Sequence, residues 1–211
     1  EKTKLAKNIK LIRTGTKNNP NIIIIDKATG QSATKMPTTI LSLASDNKAN
    51  IPFVQGLYNQ GGSATLPYSG LQIIISKMHP DARDSNDSSS EKYCFTVVRL
   101  EPPKGNDRME KFTYLAMDEN ELFSFHSDEL TIDFGSNQKD KYDKNFDHGT
   151  FFKLIDYKLK PKRLSHSYIN TKLNYKISSL LPNITLPVRI GDRITTDAKD
   201  LRDQNINGLH F

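Results

Sequence analysis

Four consecutive isoleucines, Ile22 to Ile25, stand between Asn21 and Asp26. A β-branched run bounded by polar residues reads as a strand buried on both faces, because a strand with one wet face would alternate apolar with polar. The aspartate that ends the run, Asp26, stands where strands deliver ligand-binding groups, and Ala28, Thr29 and Gly30 allow a tight exit. After Pro37, the stretch Thr38 to Ala44 reads as a short helix, followed by a polar loop from Ser45 to Asn50 that contains Lys48.

The next segment, Gly56-Leu57-Tyr58-Asn59-Gln60-Gly61-Gly62-Ser63-Ala64, is a small-residue loop that opens a short helix and leads to an apolar strand, Leu71 to Ser76. Glycines let backbone amides approach an anion closely, and the free amides of a helix start carry partial positive charge suited to phosphate. A glycine pair near a turn is more often only a turn, so this loop gains meaning from the order around it. That order is strand, Asp-turn-Gly, helix, basic loop, glycine loop, helix, strand.

The order resembles the Bergerat-fold (GHKL) ATPases, the superfamily of gyrase, heat-shock chaperone, histidine kinase and mismatch-repair ATPases. In that family a strand ends in Asp-x-Gly-x-Gly, whose aspartate takes the adenine amino group, and Gly-x-x-Gly-x-Gly follows around the phosphates. Asp26 matches the adenine-binding aspartate and Gly30 the second glycine, with Ala28 where the first is expected. Gly56 and Gly61 match the outer glycines of the phosphate loop, with Asn59 in place of the middle one; Gly62 follows, and Ser63-Ala64 matches the small pair that opens the next helix. Ser76-Lys77 closes the following strand, and His148-Gly149-Thr150 resembles the family's Gly-Thr strand, whose threonine lies beside the adenine and its water. Lys48, alone between Lys35 and Lys77, is the candidate for a terminal-phosphate contact. The resemblance runs from Asn8 to Ile190 and implies ATP and Mg2+ as ligands, with homodimerisation and DNA or protein clients.

The family's catalytic helix carries Glu-x-x-x-Asn ahead of the Asp-turn-Gly strand. Here only Glu1 lies on that side, and Leu5 stands four positions on. Either the sequence is a fragment that starts just after that helix, or it is a degenerate binder that has lost its catalytic residues. No catalytic residue is assigned within the chain.

The implied fold is α/β (α+β), a two-layer α/β sandwich of Bergerat type with a mixed sheet and helices on one face. Residues 1–192 read as the ATP-binding domain, with a hairpin and loop elaboration at about 79–147, and residues 193–211 as an exit segment. Tyr93 to Leu100 and Lys111 to Met117 read as strands of a hairpin turning at Pro102 to Asp107, with a short extra strand at Glu121 to Phe125. Asp81 to Ser90 is a polar loop, Gly135 to Phe146 a polar linker, Leu164 to Leu181 a helix and Leu186 to Ile190 a last strand.

With 211 residues there is enough chain for a sizeable core, but only 36% are hydrophobic, so much of the chain is surface loop. No apolar run approaches a membrane span and the start carries no signal core, so no membrane partner is expected and the cytoplasm is the expected location. The single cysteine, Cys94, reads as a buried strand residue. The net charge of +6 admits a nucleic-acid partner through Lys153 to Arg163, although a solvated strand end is the commoner meaning of such a run. The histidines His79, His126, His148, His166 and His210 are scattered without a His-x-x-x-His pair, which argues against zinc. Asp118, Glu119, Glu121, Asp128 and Glu129 cluster between strands, where acidic residues are usually solvated rather than metal-bound. Two readings stand: an ATP-binding domain whose lid closes over nucleotide, and a non-catalytic module that binds nucleic acid or a protein partner through its basic surface.

Overall fold

The isoleucine run forms the strand it predicts, Pro20–Asp26, in a computed structural model that describes residues 7–16, 18–42, 65–105, 108–133, 144–158 and 189–190. In chain order the strands are β1 (Ile9–Gly15), β2 (Pro20–Asp26), β3 (Leu71–Lys77), β4 (Tyr93–Glu101), β5 (Lys111–Tyr114), β6 (Phe123–Phe125), β7 (Gly149–Ile155) and β8 (Arg189–Ile190). All belong to one sheet in the lateral order β5-β4-β3-β7-β2-β1-β8, with β6 also on β4. Every pairing is antiparallel except that of β1 with β8.

The two-layer α/β sandwich is therefore not what the described residues form. They make a β-rich structure whose only helical turns are three short 3-10 segments, Met36–Thr38, Leu66–Tyr68 and Pro80–Ala82. The expected helix from Thr38 fails for a local reason. The hydroxyls of Thr38 and Thr39 donate to the Lys35 carbonyl, and that of Ser42 donates to the carbonyls of Thr38 and Thr39. Such side chains offer the backbone an alternative to the helical ladder, and Pro37 has no N–H to contribute. The helices expected after Gly56 and from Leu164 to Leu181 lie outside the described residues.

Why β2 can be isoleucine throughout is plain from its position. It is sandwiched between β1 and β7, and Ile22, Ile23 and Ile25 are all buried. Alternation then divides the core. One face carries Ile12, Ile23, Ile25, Tyr93, Phe146 and Phe151; the other carries Ile74, Cys94 and Val98, covered by Ala33, Met36 and Leu122. The β4–β5 hairpin forms as expected, with Glu101 opposite Lys111.

The polar loop after β3 is tied to the chain leaving β2. Thr34 Oγ1 donates to Asp87 Oδ2 at 2.7 Å, and Lys35 Nζ lies 3.4 Å from Asp84 Oδ2. Burial alone would raise the Asp87 carboxyl, but hydrogen bonds from Ser32, Ser89 and Thr34 outweigh it and hold the pKa at about 2.

Candidate functional site

Four side chains form a row across the sheet. Asp26 of β2 pairs with Thr150 of β7, Thr150 pairs with Ser76 of β3, and Ser76 pairs with Cys94 of β4. Register partners in a ladder point to the same face, so this end of the sheet presents carboxylate, hydroxyl, hydroxyl and thiol side by side. The positions come from four separate parts of the sequence.

The turn leaving Asp26 is stitched to that row. The Gln31 backbone N–H donates to Ser76 Oγ at 2.8 Å, and the Cys94 thiol donates to the Gln31 carbonyl at 3.4 Å. The His79 N–H donates to the Thr29 carbonyl at 2.8 Å. Two glycines make this packing possible. Gly30 has φ of +68° and a Cβ there would sit 1.9 Å from the Lys77 carbonyl oxygen; Gly149 has φ of +99° and a Cβ there would sit 2.0 Å from the Asp26 carbonyl oxygen. Both need the left-handed backbone and the missing side chain.

Asp26 is the ionisable member of the row. Burial pushes its carboxyl above the usual value of 3.8, while hydrogen bonds from the Ala28 and Thr150 backbone amides and the nearby His148 pull it back. Oδ1 accepts the Ala28 N–H at 3.1 Å, so part of its role is to cap the turn, the ordinary task of an aspartate at a strand end. An ionised carboxylate accepts about four hydrogen bonds. Capacity remains for an N–H donor from a ligand beside Thr150.

Of the residues named from sequence, the structure brings Asp26, Gly30 and Thr150 together. Lys48, Gly56, Asn59, Gly61, Gly62 and Ser63 lie outside the described residues. Sequence reasoning missed the parts played by Ser76, Gln31, Gly149 and Cys94, because they depend on which strands pair and in what register. Cys94 is buried as expected, and burial pushes its thiol up to about 12.

Two of the described histidines, distant in sequence, come together in space. His79 and His148 meet edge to face with ring centroids 4.5 Å apart, His79 Nδ1 accepting the Asp81 N–H. Among the described residues no group of three or more His, Cys, Asp or Glu side chains is arranged to hold a metal ion. Asp118 caps the backbone amides of Asn120 and Glu121 instead. On the opposite face of the sheet, Lys27, Tyr93, Asp128, Glu129, Asn145 and Asp147 are among the residues lining a cavity of about 310 Å³, crossed by a Lys27–Asp147 ion pair at 3.1 Å. Of the basic run, Lys153 lies within β7 and Lys158 is exposed, while residues 159–163 lie outside the described residues. No helix among the described residues is long and apolar enough to cross a membrane.

Protein-family models and the curated proteins both return no match to this chain.

Proposed function

We propose that the chain binds ATP, with the adenine amine donating to the Asp26 carboxylate beside Thr150, in the manner of the Bergerat-type ATPases its motif order resembles. The observation that carries this reading is the register of β2 and β7, in which Asp26 and Thr150 are direct partners. The resemblance gives those two residues to one adenine pocket, and their pairing comes from backbone hydrogen bonding, which owes nothing to the motif match. Gly30, pressed against the Lys77 carbonyl, gives further support, since the motif asks for glycine where no Cβ fits.

Chemically the wall suits an amine. A half-buried carboxylate is a strong acceptor, and hydrogen bonds to a charged partner contribute about 1.5–3 kcal/mol. The phosphate contacts belong in this reading to the loop from Gly56 to Ser63, with Lys48 reaching the terminal phosphate. Magnesium would arrive with the phosphates. The described residues supply no three-ligand seat for it, and no step is assigned to it.

The test is calorimetric titration of the protein with ATP. Saturable binding is expected, weakened about tenfold or more in a folded Asp26→Asn variant, whose amide presents a donor toward the adenine amine. Equal affinity in the two proteins would remove Asp26 from the site. A Lys48→Ala variant should lose more affinity for ATP than for ADP.

A further inference from the structure

Ser76 is saturated in a way that fixes the direction of its own hydroxyl hydrogen and of the one on Thr150. Its Oγ lies 2.7 Å from the Gly149 carbonyl oxygen, 2.8 Å from the Gln31 backbone nitrogen and 3.2 Å from Thr150 Oγ1. A carbonyl can only accept, so the one hydroxyl hydrogen of Ser76 goes to Gly149. A backbone N–H can only donate, so one lone pair of Ser76 takes the Gln31 hydrogen. A serine hydroxyl has one donor and two acceptor directions, and what remains is a single lone pair facing Thr150. The Thr150 hydroxyl completes the set by donating to Ser76.

From this inventory we infer that Ser76 is the positioning residue that turns the Thr150 hydroxyl hydrogen away from the ligand, so that Asp26 and Thr150 together present two acceptors and select a base edge bearing an amine over one bearing a carbonyl. The inference rests on the ATP-binding reading and adds to it the origin of base selectivity. Were Thr150 free to turn, it could donate to a carbonyl and so tolerate an oxo-purine. Held by Ser76, it cannot. Sites that leave a buried acceptor facing another acceptor discriminate strongly, because neither group finds a partner.

The experiment compares dissociation constants for ATP and inosine triphosphate, in which the amine is replaced by a carbonyl. The unmodified protein is expected to prefer ATP. Ser76→Ala frees the Thr150 hydroxyl to rotate, and the ATP-to-ITP preference should narrow about tenfold. A merely structural role for Ser76, through the Gln31 turn, would weaken both nucleotides and leave the ratio in place. Thr150→Val should narrow the ratio as well, and the double variant should add nothing further, as expected of two residues acting through one hydroxyl. An unmodified protein that binds neither nucleotide would overturn the ATP-binding reading and this inference with it. Preference for ATP that survives intact in a folded Ser76→Ala variant would overturn the inference alone. If Ser76→Ala does not fold, neutron diffraction of the unmodified protein decides the matter: a deuteron on Thr150 Oγ1 directed at Ser76 supports the inference, and one directed away from it overturns it.

Discussion

Gly30 and Lys77 are in backbone contact, so close that a methyl group added to Gly30 would lie 1.9 Å from the Lys77 carbonyl oxygen. Gly30 lies in the turn after β2 and Lys77 ends β3, so the two have no covalent reason to meet. Their contact is what lets the turn after Asp26 lie down against β3.

Gly30→Ala should therefore destabilise the protein by more than about 2 kcal/mol, since the φ of +68° is strained for alanine and the clashing atom is backbone. Urea denaturation monitored by circular dichroism measures this. Gly105 has φ of +61° with nothing near its missing Cβ, so Gly105→Ala should cost clearly less and serves as the control.

The Asp26 carboxyl makes stability and binding pull in opposite directions. Its folded pKa is raised above 3.8, so ionisation carries a penalty that is absent below that pH and grows as pH rises through the folded value. Asp26→Asn should melt at the same temperature as the parent protein or higher at pH 7, with the difference shrinking as pH falls toward 3.8. Thermal melts across that range test the sign. ATP affinity of the parent should fall as the pH drops through the folded pKa of Asp26, because a protonated carboxyl is a poorer acceptor.

For Asp87 the sign is reversed. With the folded pKa held at about 2 against 3.8, its contribution is present above 3.8 and disappears as pH falls through about 2. Asp87→Asn should be less stable than the parent at pH 7 and converge with it near pH 2. A stability gap that persists unchanged at that acidity would mean that the hydrogen bonds from Thr34 and Ser89 are not what Asp87 contributes.

Cys94 should resist thiol reagents in the native protein. It is fully buried and its thiol is held protonated by a pKa near 12, so little thiolate exists at pH 8 to react. Labelling with a disulfide reagent should proceed only at the rate of unfolding, and become fast in denaturant.

Much of the sheet was legible in local pattern, and its partners were not. The isoleucine run, the alternating Tyr93 stretch and the apolar Leu71 stretch each carry enough of their own periodicity to be read as strands. β1 escaped because Lys10 and Arg13 occupy buried positions within Ile9–Gly15 and hide its alternation. The turn signal after it, Gly15 with φ of +78° followed by Asn18 and Asn19, was available and would have exposed the β1–β2 hairpin. The sandwich expectation failed where hydroxyl-rich sequence was read as helix. At the site, Asp26 was marked by its place at the end of the isoleucine strand, whereas Thr150 could be named only through a resemblance to known motifs. Ser76 was visible as a strand end, but its saturation follows from contacts with Gln31, Gly149 and Thr150, whose sequence separations no local pattern spans.

Among the described residues, the strand at the middle of the sheet is the last of the long ones to be synthesised. β7 lies between β2 and β3, and both of those leave the ribosome well before Gly149 does. Until β7 arrives, the nascent chain holds two separate β units, one ending in the isoleucines of β2 and the other in those of β3, each with an unpaired apolar edge. Such edges are templates for pairing with a neighbouring chain. Truncation shortly before Gly149 should accordingly yield a product that aggregates rather than one that merely lacks the site, because both apolar edges stay open from the completion of β3 until β7 inserts.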